Sequence, residues 1–164
     1  MPIKLYIDLL SQPSRAVYIL CLLGKIEHNI QIISFFKGET RTKEFSKINI
    51  NQKVPVIDDD GFLIFESGAI LRYLSNCYLP SNNPFFPRDC PIKASKVERS
   101  ITFYHRCVRP GVFAIWTNFL AKKLKQPLHG LDNQEQIDKM NFLCKELDKY
   151  IARNKADFEE LDVG

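Results

Sequence analysis

The sequence predicts an α/β domain with a mixed four-stranded sheet, followed by an all-helical region. Three observations predict this: a strand–helix–strand pattern at the start of the chain, a hairpin signal after it, and a proline-rich segment beyond which every periodic stretch is helical. A strand–helix–strand unit pairs its strands in parallel, and a hairpin pairs them antiparallel. Together they form a mixed sheet that is covered by helices.

The first quarter of the chain carries the strand–helix–strand pattern. Apolar and polar residues alternate over 3–9, which is typical of a strand, and crowded apolar residues over 15–23 predict a buried helix. Gly24 follows as a candidate C-terminal cap. The β-branched and aromatic residues 30–36 predict the second strand, and residues 42–47 are expected to form a short helical turn.

The next segment predicts a hairpin and a helix. Two apolar runs, 54–57 and 62–65, flank residues 58–61, which end in Asp-Gly. Asp-Gly between two apolar runs is a strong hairpin signal. The aspartates lack the alternating spacing of a calcium loop, so turn formation is the preferred interpretation. Ser67 is expected to be the N-cap of the following helix.

The segment LPSNNPFFPRDCP, residues 79–91, separates two parts of the chain. It contains four prolines and no hydrophobic periodicity, so it predicts an interdomain linker. The predicted domains are therefore 1–79 and 92–164, with the linker at 80–91. In the second domain, Pro110 and Gly111 are expected to kink or break a helix over 97–125, and 133–153 has the apolar stripe of a surface helix.

Composition narrows the function classes. The 164 residues are 45% hydrophobic and 26% charged, which is ordinary for a soluble globular protein. The net charge of +4 comes without an aromatic-interleaved basic motif, which argues against nucleic-acid binding. No apolar run approaches the ~20 residues that a bilayer requires. A cytoplasmic location is the simplest expectation, with mitochondrial association left open.

The cysteines and histidines do not form a recognisable site. Five cysteines occur without a Cys-x-x-Cys pair, which is typical of reduced thiols rather than of a disulfide framework or a zinc site. The three histidines are far apart and lack partners at metal-ligand spacing. The sequence therefore predicts no metal site.

The Ser-Gln-Pro-Ser-Arg joint between the first strand and the first helix is a candidate binding site. In open sheets, ligands bind beyond the carboxyl end of a strand, beside the next helix. The free N–H groups and the dipole of that helix stabilise an anion. A thiolate is such an anion, and the hydroxyl of Ser11 would lower the pKa of its thiol by donating a hydrogen bond. The alternative is that Ser11 or Ser14 only caps the helix.

Two further pairs of residues are expected at the same edge of the sheet. A cis bond before Pro55 would leave the backbone of Val54 open to an extended peptide, whereas a trans proline at a strand start is the alternative. Ser67 would receive a substrate carboxylate and Glu66 a neighbouring ammonium, unless Ser67 only caps its helix. A γ-glutamyl tripeptide thiol fits this arrangement of head group, backbone and sulfur.

Residues 3–79 resemble the N-terminal domain of glutathione S-transferases, most closely those of the theta class. The segments LYIDLLSQPSRAVYIL and KVPVIDDDGFLIFESGAILRYL carry the resemblance, which continues more weakly through the helical part, including Arg109 and Trp116. It implies a thioredoxin-like domain followed by an α-helical bundle domain, usually in a homodimer. The implied reaction is transfer of glutathione to electrophiles such as alkyl halides and epoxides, or reduction of organic peroxides.

The resemblance also implies roles for individual residues. Ser11 would activate the glutathione thiolate, and Arg109 matches an arginine that faces the active site. The glutathione-binding residues would be Thr40, Lys53, Val54, Pro55, Glu66 and Ser67. Thr40 stands where many theta enzymes have a histidine near the glycine carboxylate, and Arg41 or Lys53 would supply the positive charge. Glutathione is then a co-substrate, and no prosthetic group is expected.

Two functions stay open. The helical domain of the family runs beyond residue 164, so we expect a partial helical domain without the segment that roofs the electrophile pocket. One function is a theta-like transferase that acts on small electrophiles. The other is a catalytically silent structural subunit or scaffold module of a larger assembly, in which a partner covers the apolar stripe of the last helix.

Overall fold

The structure is a computed structural model that describes residues 1–113 and 133–155. It divides into two compact units, Met1–Cys90 and Pro91–Gly164. The assignment of 80–91 to a linker between two domains stays a prediction.

The first unit contains a four-stranded mixed sheet and three α-helices. Its elements in chain order are β1 (Ile3–Ile7), α1 (Gln12–Leu23), β2 (His28–Ile32), a 3-10 turn (Glu39–Arg41), α2 (Lys43–Ile48), β3 (Val56–Asp59), β4 (Phe62–Phe65) and α3 (Ser67–Tyr78). The strand order is β2-β1-β3-β4, with β1 and β2 parallel and the other pairs antiparallel. This arrangement confirms the predicted thioredoxin-like fold class.

The central strand β1 has buried side chains on both faces of the sheet, since successive side chains of a strand point to opposite sides. Ile3, Leu5 and Ile7 of β1 pack in one cluster with residues of α1 and α3. Tyr6, between them, joins a second cluster with Phe45 of α2. Each fully buried aliphatic side chain contributes about 1.5–3 kcal/mol relative to an exposed one, so the alternation of β1 fixes which helix lies on which face.

Several predicted boundaries are wrong. The first strand, expected over 3–9, ends at Ile7, and the apolar run 54–57 is replaced by a strand over Val56–Asp59, so that residues 58 and 59 belong to the strand rather than to the turn. The second strand, expected over 30–36, spans His28–Ile32, because Ile33 N–H still bonds Ile7 C=O whereas Phe35 N–H turns to the carboxylate of Asp8. Helix α1, expected from Arg15, begins at Gln12, since Ser11 is its N-cap and a proline in the first turn is compatible with a helix.

Asp59, at the end of β3, accepts hydrogen bonds from two tyrosines. The hydroxyls of Tyr73 and Tyr78, both on α3, each lie 2.6 Å from Asp59 Oδ2. The hydrogen bond to Asp59 raises the pKa of Tyr73 well above its usual range. Burial, followed by the bond to Asp59, raises the pKa of Tyr78 to about 12. The hairpin is thereby tied to α3.

We expect Asp59→Asn to lower both tyrosine pKa values, that of Tyr73 more, because it removes the charge that opposes tyrosinate formation. Because folding raises these pKa values, the two tyrosines contribute stability that is fully present below pH 10, the ordinary tyrosine pKa. This contribution is lost as the pH rises towards 12. An absorbance titration of tyrosinate measures the shift. Asp60→Asn, which removes the adjacent charge, is the control and should leave the titration unchanged.

The second unit is helical where it is described. Helix α4 (Pro91–Phe103) continues into a π-helical turn (Tyr104–Val108) and a helical stretch at 109–113, and α5 spans Asn133–Arg153. Pro110 has no backbone N–H to donate, and in a regular α-helix its ring would clash with a backbone carbonyl of the preceding turn. The helix accommodates it by widening before Pro110 rather than by breaking. The rest of the predicted helix over 97–125, with Trp116, lies outside the described residues.

Helices α4 and α5 pack through aromatic and polar contacts. The ring of Tyr150 stacks on that of Phe103 with centroids 4.0 Å apart, and its hydroxyl lies 3.0 Å from Ser100 Oγ. At the two ends of the predicted apolar stripe of α5, Ile137 and Ile151 are exposed. Within residues 1–113 and 133–155, no helix is long and apolar enough to cross a bilayer, and no side-chain group suits a metal ion.

Candidate functional site

The register of the sheet brings three chain segments to one edge. Tyr6 pairs with Val56 and Val56 pairs with Phe65, in both cases antiparallel. The residues after β1 and those after β4 therefore lie beside the residues that precede β3. We call this place, with Ser11, Val54-Pro55 and Glu66-Ser67, the site edge.

Ser11 lies at the site edge as the N-cap of α1. Its side chain is half-buried, and its Oγ accepts a hydrogen bond from Ser14 N at 3.4 Å. A hydroxyl accepts through its lone pairs and donates through its proton. The capping bond therefore leaves the O–H of Ser11 available to an anion. Ser11 can cap α1 and donate to a bound thiolate in the same geometry.

The peptide bond between Val54 and Pro55 is cis, so the trans alternative is wrong. Val54 is half-buried and Pro55 is buried. Across the described residues, no hydrogen bond uses the backbone N–H or C=O of Val54. An extended peptide beside the site edge would find one donor and one acceptor there.

Glu66 and Ser67 occupy the start of α3. The N-cap is Glu66, not Ser67 as predicted, and it has φ 69° and ψ 112° without a side-chain capping bond. Ser67 is the first helical residue and is only 6% exposed. The first N–H groups of a helix lack intrahelical partners and attract anions. Ser67 therefore adds a hydroxyl to an anion-binding helix end, while the carboxylate of Glu66 is exposed beside it.

The other predicted site residues lie outside the site edge, although Lys53 directly precedes it. Thr40 is buried in the 3-10 turn after β2, Arg41 follows it on the surface, and the exposed Lys53 precedes Val54. Arg109 belongs to the second unit, where its guanidinium lies 3.4 Å from His105 Nδ1.

The sequence interpretation overlooked Asp8, which it treated only as a polar residue of the first strand. Asp8 is 6% exposed, and its carboxylate binds the backbone of two loops. An aspartate directly after an apolar strand and before a turn is a typical acceptor for nearby backbone N–H groups. That signal was present in the sequence, but the partner at Phe35 is distant along the chain.

Known proteins are similar to this chain in sequence. Residues 1–76 match the family described as glutathione S-transferase, N-terminal domain. A mouse glutathione S-transferase theta-2 is 34% identical over 163 residues, with 95% of this chain and 64% of the relative covered. Glutathione S-transferase T2 of Arabidopsis thaliana is 38% identical over 159 residues, with 96% of this chain and 27% of the relative covered.

Solved structures agree with these sequence matches. Human glutathione S-transferase T1-1 without ligand superposes with a TM-score of 0.75 at 28% identity, covering 87% of this chain and 60% of that chain. Human glutathione transferase theta-2, in complex with glutathione and an unknown ligand, gives 0.77 at 28% identity, covering 91% and 59%. The chain thus spans less than two thirds of the length of these relatives. Residues 1–76 thus match the glutathione S-transferase N-terminal domain, and the chain is similar over most of its own length to theta-class glutathione S-transferases.

Proposed function

We propose that this protein binds glutathione at the site edge and conjugates it through its sulfur to small electrophiles, or uses it to reduce organic peroxides. The observation that carries the proposal is the register, which places the hydroxyl of Ser11, the unused backbone of Val54 and the start of α3 at one edge. The theta-2 relative whose structure contains glutathione supports this choice of ligand.

In the proposed complex, glutathione lies along the site edge as a short added strand. Its γ-glutamyl carboxylate meets the N-terminus of α3 and the hydroxyl of Ser67, and its ammonium meets the exposed carboxylate of Glu66. Its cysteinyl backbone pairs with Val54 beside Pro55. The glycine carboxylate of glutathione would bind the cationic side chains of Arg41 and Lys53 and the hydroxyl of Thr40.

The sulfur of glutathione then lies by the N-terminus of α1. The O–H of Ser11 donates to the thiolate, and the dipole of α1, which has no acidic residue in its first turn, adds to the stabilisation. With a halide, the thiolate forms a carbon–sulfur bond while the halide leaves with the bonding electron pair. Arg109 is proposed as the second catalytic residue, whose guanidinium stays charged at every working pH.

We expect Ser67→Ala to raise the Kd for glutathione about 10–100-fold, because a hydrogen bond to a charged group contributes about 1.5–3 kcal/mol. Calorimetry with glutathione measures the change. Ser75→Ala is the matched control, since Ser75 is another buried serine of α3 but lies two turns further along. An equal loss of affinity in both variants contradicts the proposed place of the head group.

An assay with a small alkyl halide or epoxide then separates the two functions. Turnover supports the transferase, whereas glutathione binding without turnover favours the silent structural subunit, and failure to bind glutathione contradicts the proposal.

We further propose a cytoplasmic protein that works as a homodimer or as a subunit of a larger assembly. The exposed apolar side chains of Ile137, Phe142 and Ile151 support such an assembly. Light scattering distinguishes these assemblies from a monomer.

A further inference from the structure

Asp8 joins the loop that carries Ser11 to a second loop of the first unit. Its Oδ1 accepts from Leu10 N at 2.9 Å, in the segment between β1 and α1. Its Oδ2 accepts from Phe35 N at 2.8 Å, in the segment that follows β2. With 6% of its surface exposed, Asp8 is a buried acceptor whose two oxygens serve two different loops.

The short loop before α1 is held at every residue from Asp8 to Ser11. Ser11 N donates to Asp8 C=O at 2.9 Å, and Arg15 Nη1 donates to Leu9 C=O at 2.8 Å. With the bond from Leu10 N to Asp8 Oδ1, the backbone has little freedom left between the end of β1 and the N-cap. This loop thus restrains the backbone position from which the side chain of Ser11 projects.

We infer that Asp8 is a positioning residue for Ser11: its buried carboxylate fixes the loop so that the hydroxyl of Ser11 is held ready for the glutathione sulfur. The inference rests on the proposed function. A hydrogen bond stabilises a thiolate only when its donor is held within a narrow range of distance and angle. Asp8 acts through the loop and does not itself touch the sulfur.

The charge of Asp8 and its positioning role have opposite effects on the bound thiol. A carboxylate near a thiolate disfavours the thiolate, so removal of the charge alone would lower the thiol pKa. Loss of a backbone bond to Asp8 would loosen the loop that carries Ser11 and raise the thiol pKa. A rise in the thiol pKa on substitution of Asp8 therefore indicates the positioning role, and a fall indicates the direct effect of its charge.

The test is Asp8→Asn, which removes the charge and one of the two acceptor oxygens. In a thiolate absorbance titration of bound glutathione, we expect the thiol pKa to rise by about 1 unit, equivalent to about a tenfold smaller ratio of thiolate to thiol at a given pH. We also expect kcat to fall while the KM for glutathione changes little. A thiol pKa that falls or stays constant overturns the inference.

Asp58→Asn is the matched control, because Asp58 Oδ1 also accepts a backbone N–H, that of Gly61 at 2.8 Å, in the hairpin at the opposite end of the sheet. It should leave the thiol pKa unchanged. The double variant Asp8→Asn/Ser11→Gly adds a stricter readout. If Asp8 acts through Ser11, Asp8→Asn no longer raises the thiol pKa once Ser11 is glycine, so the double variant has a thiol pKa no higher than that of Ser11→Gly alone, whereas a further rise contradicts the inference.

Amide hydrogen exchange of the unmodified protein keeps the inference testable if the variants do not fold. We expect the amides of Leu10 and Phe35, although they lie in loops, to exchange slowly and to respond together to mild denaturant. Exchange at the rate of an open loop overturns the inference. A wild-type protein that does not bind glutathione refutes the proposed function instead, whereas normal binding with an unshifted thiol pKa in Asp8→Asn refutes only the role of Asp8.

Discussion

Ser11→Gly should raise the pKa of the thiol of bound glutathione by about 1–2 units and lower kcat at neutral pH on the order of 10–100-fold. The reason is the loss of a hydrogen bond to a charged sulfur, which contributes about 1.5–3 kcal/mol. The affinity for glutathione should change much less, since the proposed site holds the head group at the start of α3 and the peptide backbone at Val54. Thiolate absorbance and kcat as functions of pH measure both effects.

The choice of substitution separates the two roles of Ser11. As the N-cap of α1, its Oγ satisfies Ser14 N–H, and alanine there would destabilise the helix by about 1 kcal/mol. Glycine is a far better N-cap than alanine, so Ser11→Gly removes the hydroxyl with only a few tenths of a kcal/mol of destabilisation. Ser11→Thr keeps both the cap and the donor, and it should retain most of the activity.

An unchanged thiol pKa in Ser11→Gly would show that the hydroxyl only caps α1. The proposed binding of glutathione would survive that result, because it depends on Val54 and Ser67. The transferase mechanism would not survive it, and the interpretation as a silent structural module would then be preferred.

Leu74→Ala should lower the free energy of unfolding by about 2–5 kcal/mol. Leu74 on α3 is fully buried in the cluster that includes Val17 of α1 and Ile57 of β3. Truncation to alanine removes buried methyl groups and leaves a cavity between the two helices and the sheet. Because α3 begins at the site edge, glutathione binding should weaken in parallel once part of the population is unfolded.

Urea unfolding followed by far-ultraviolet circular dichroism measures this loss. Leu23→Ala is the matched control, since the same substitution is made at a side chain that is 61% exposed, and it should change the free energy of unfolding by about 0.5 kcal/mol or less. Similar losses in the two variants would contradict the described packing of α3 against α1.

Local patterns in the sequence determined most of the elements. The Asp60-Gly61 pair has positive φ at both residues, as its hairpin turn requires, because side-chain chemistry within four residues selects that turn. The apolar stripe of α5 predicted its bounds, 133–153, since a helix repeats its contacts every three to four residues. Local signals of the same kind are sufficient to mark Ser11, Val54-Pro55 and Glu66-Ser67 as candidate site residues.

Contacts between distant residues decided the rest. The strand β2 ends where Phe35 N–H meets Asp8, 27 positions away in the sequence, and no pattern within either segment reveals that bond. The cis bond before Pro55 and the N-cap at Glu66 likewise depend on how strands β3 and β4 enter and leave the sheet. Hydrophobic periodicity specifies which face of an element is buried, but only the tertiary structure specifies which polar backbone groups remain to be satisfied, and by which side chain.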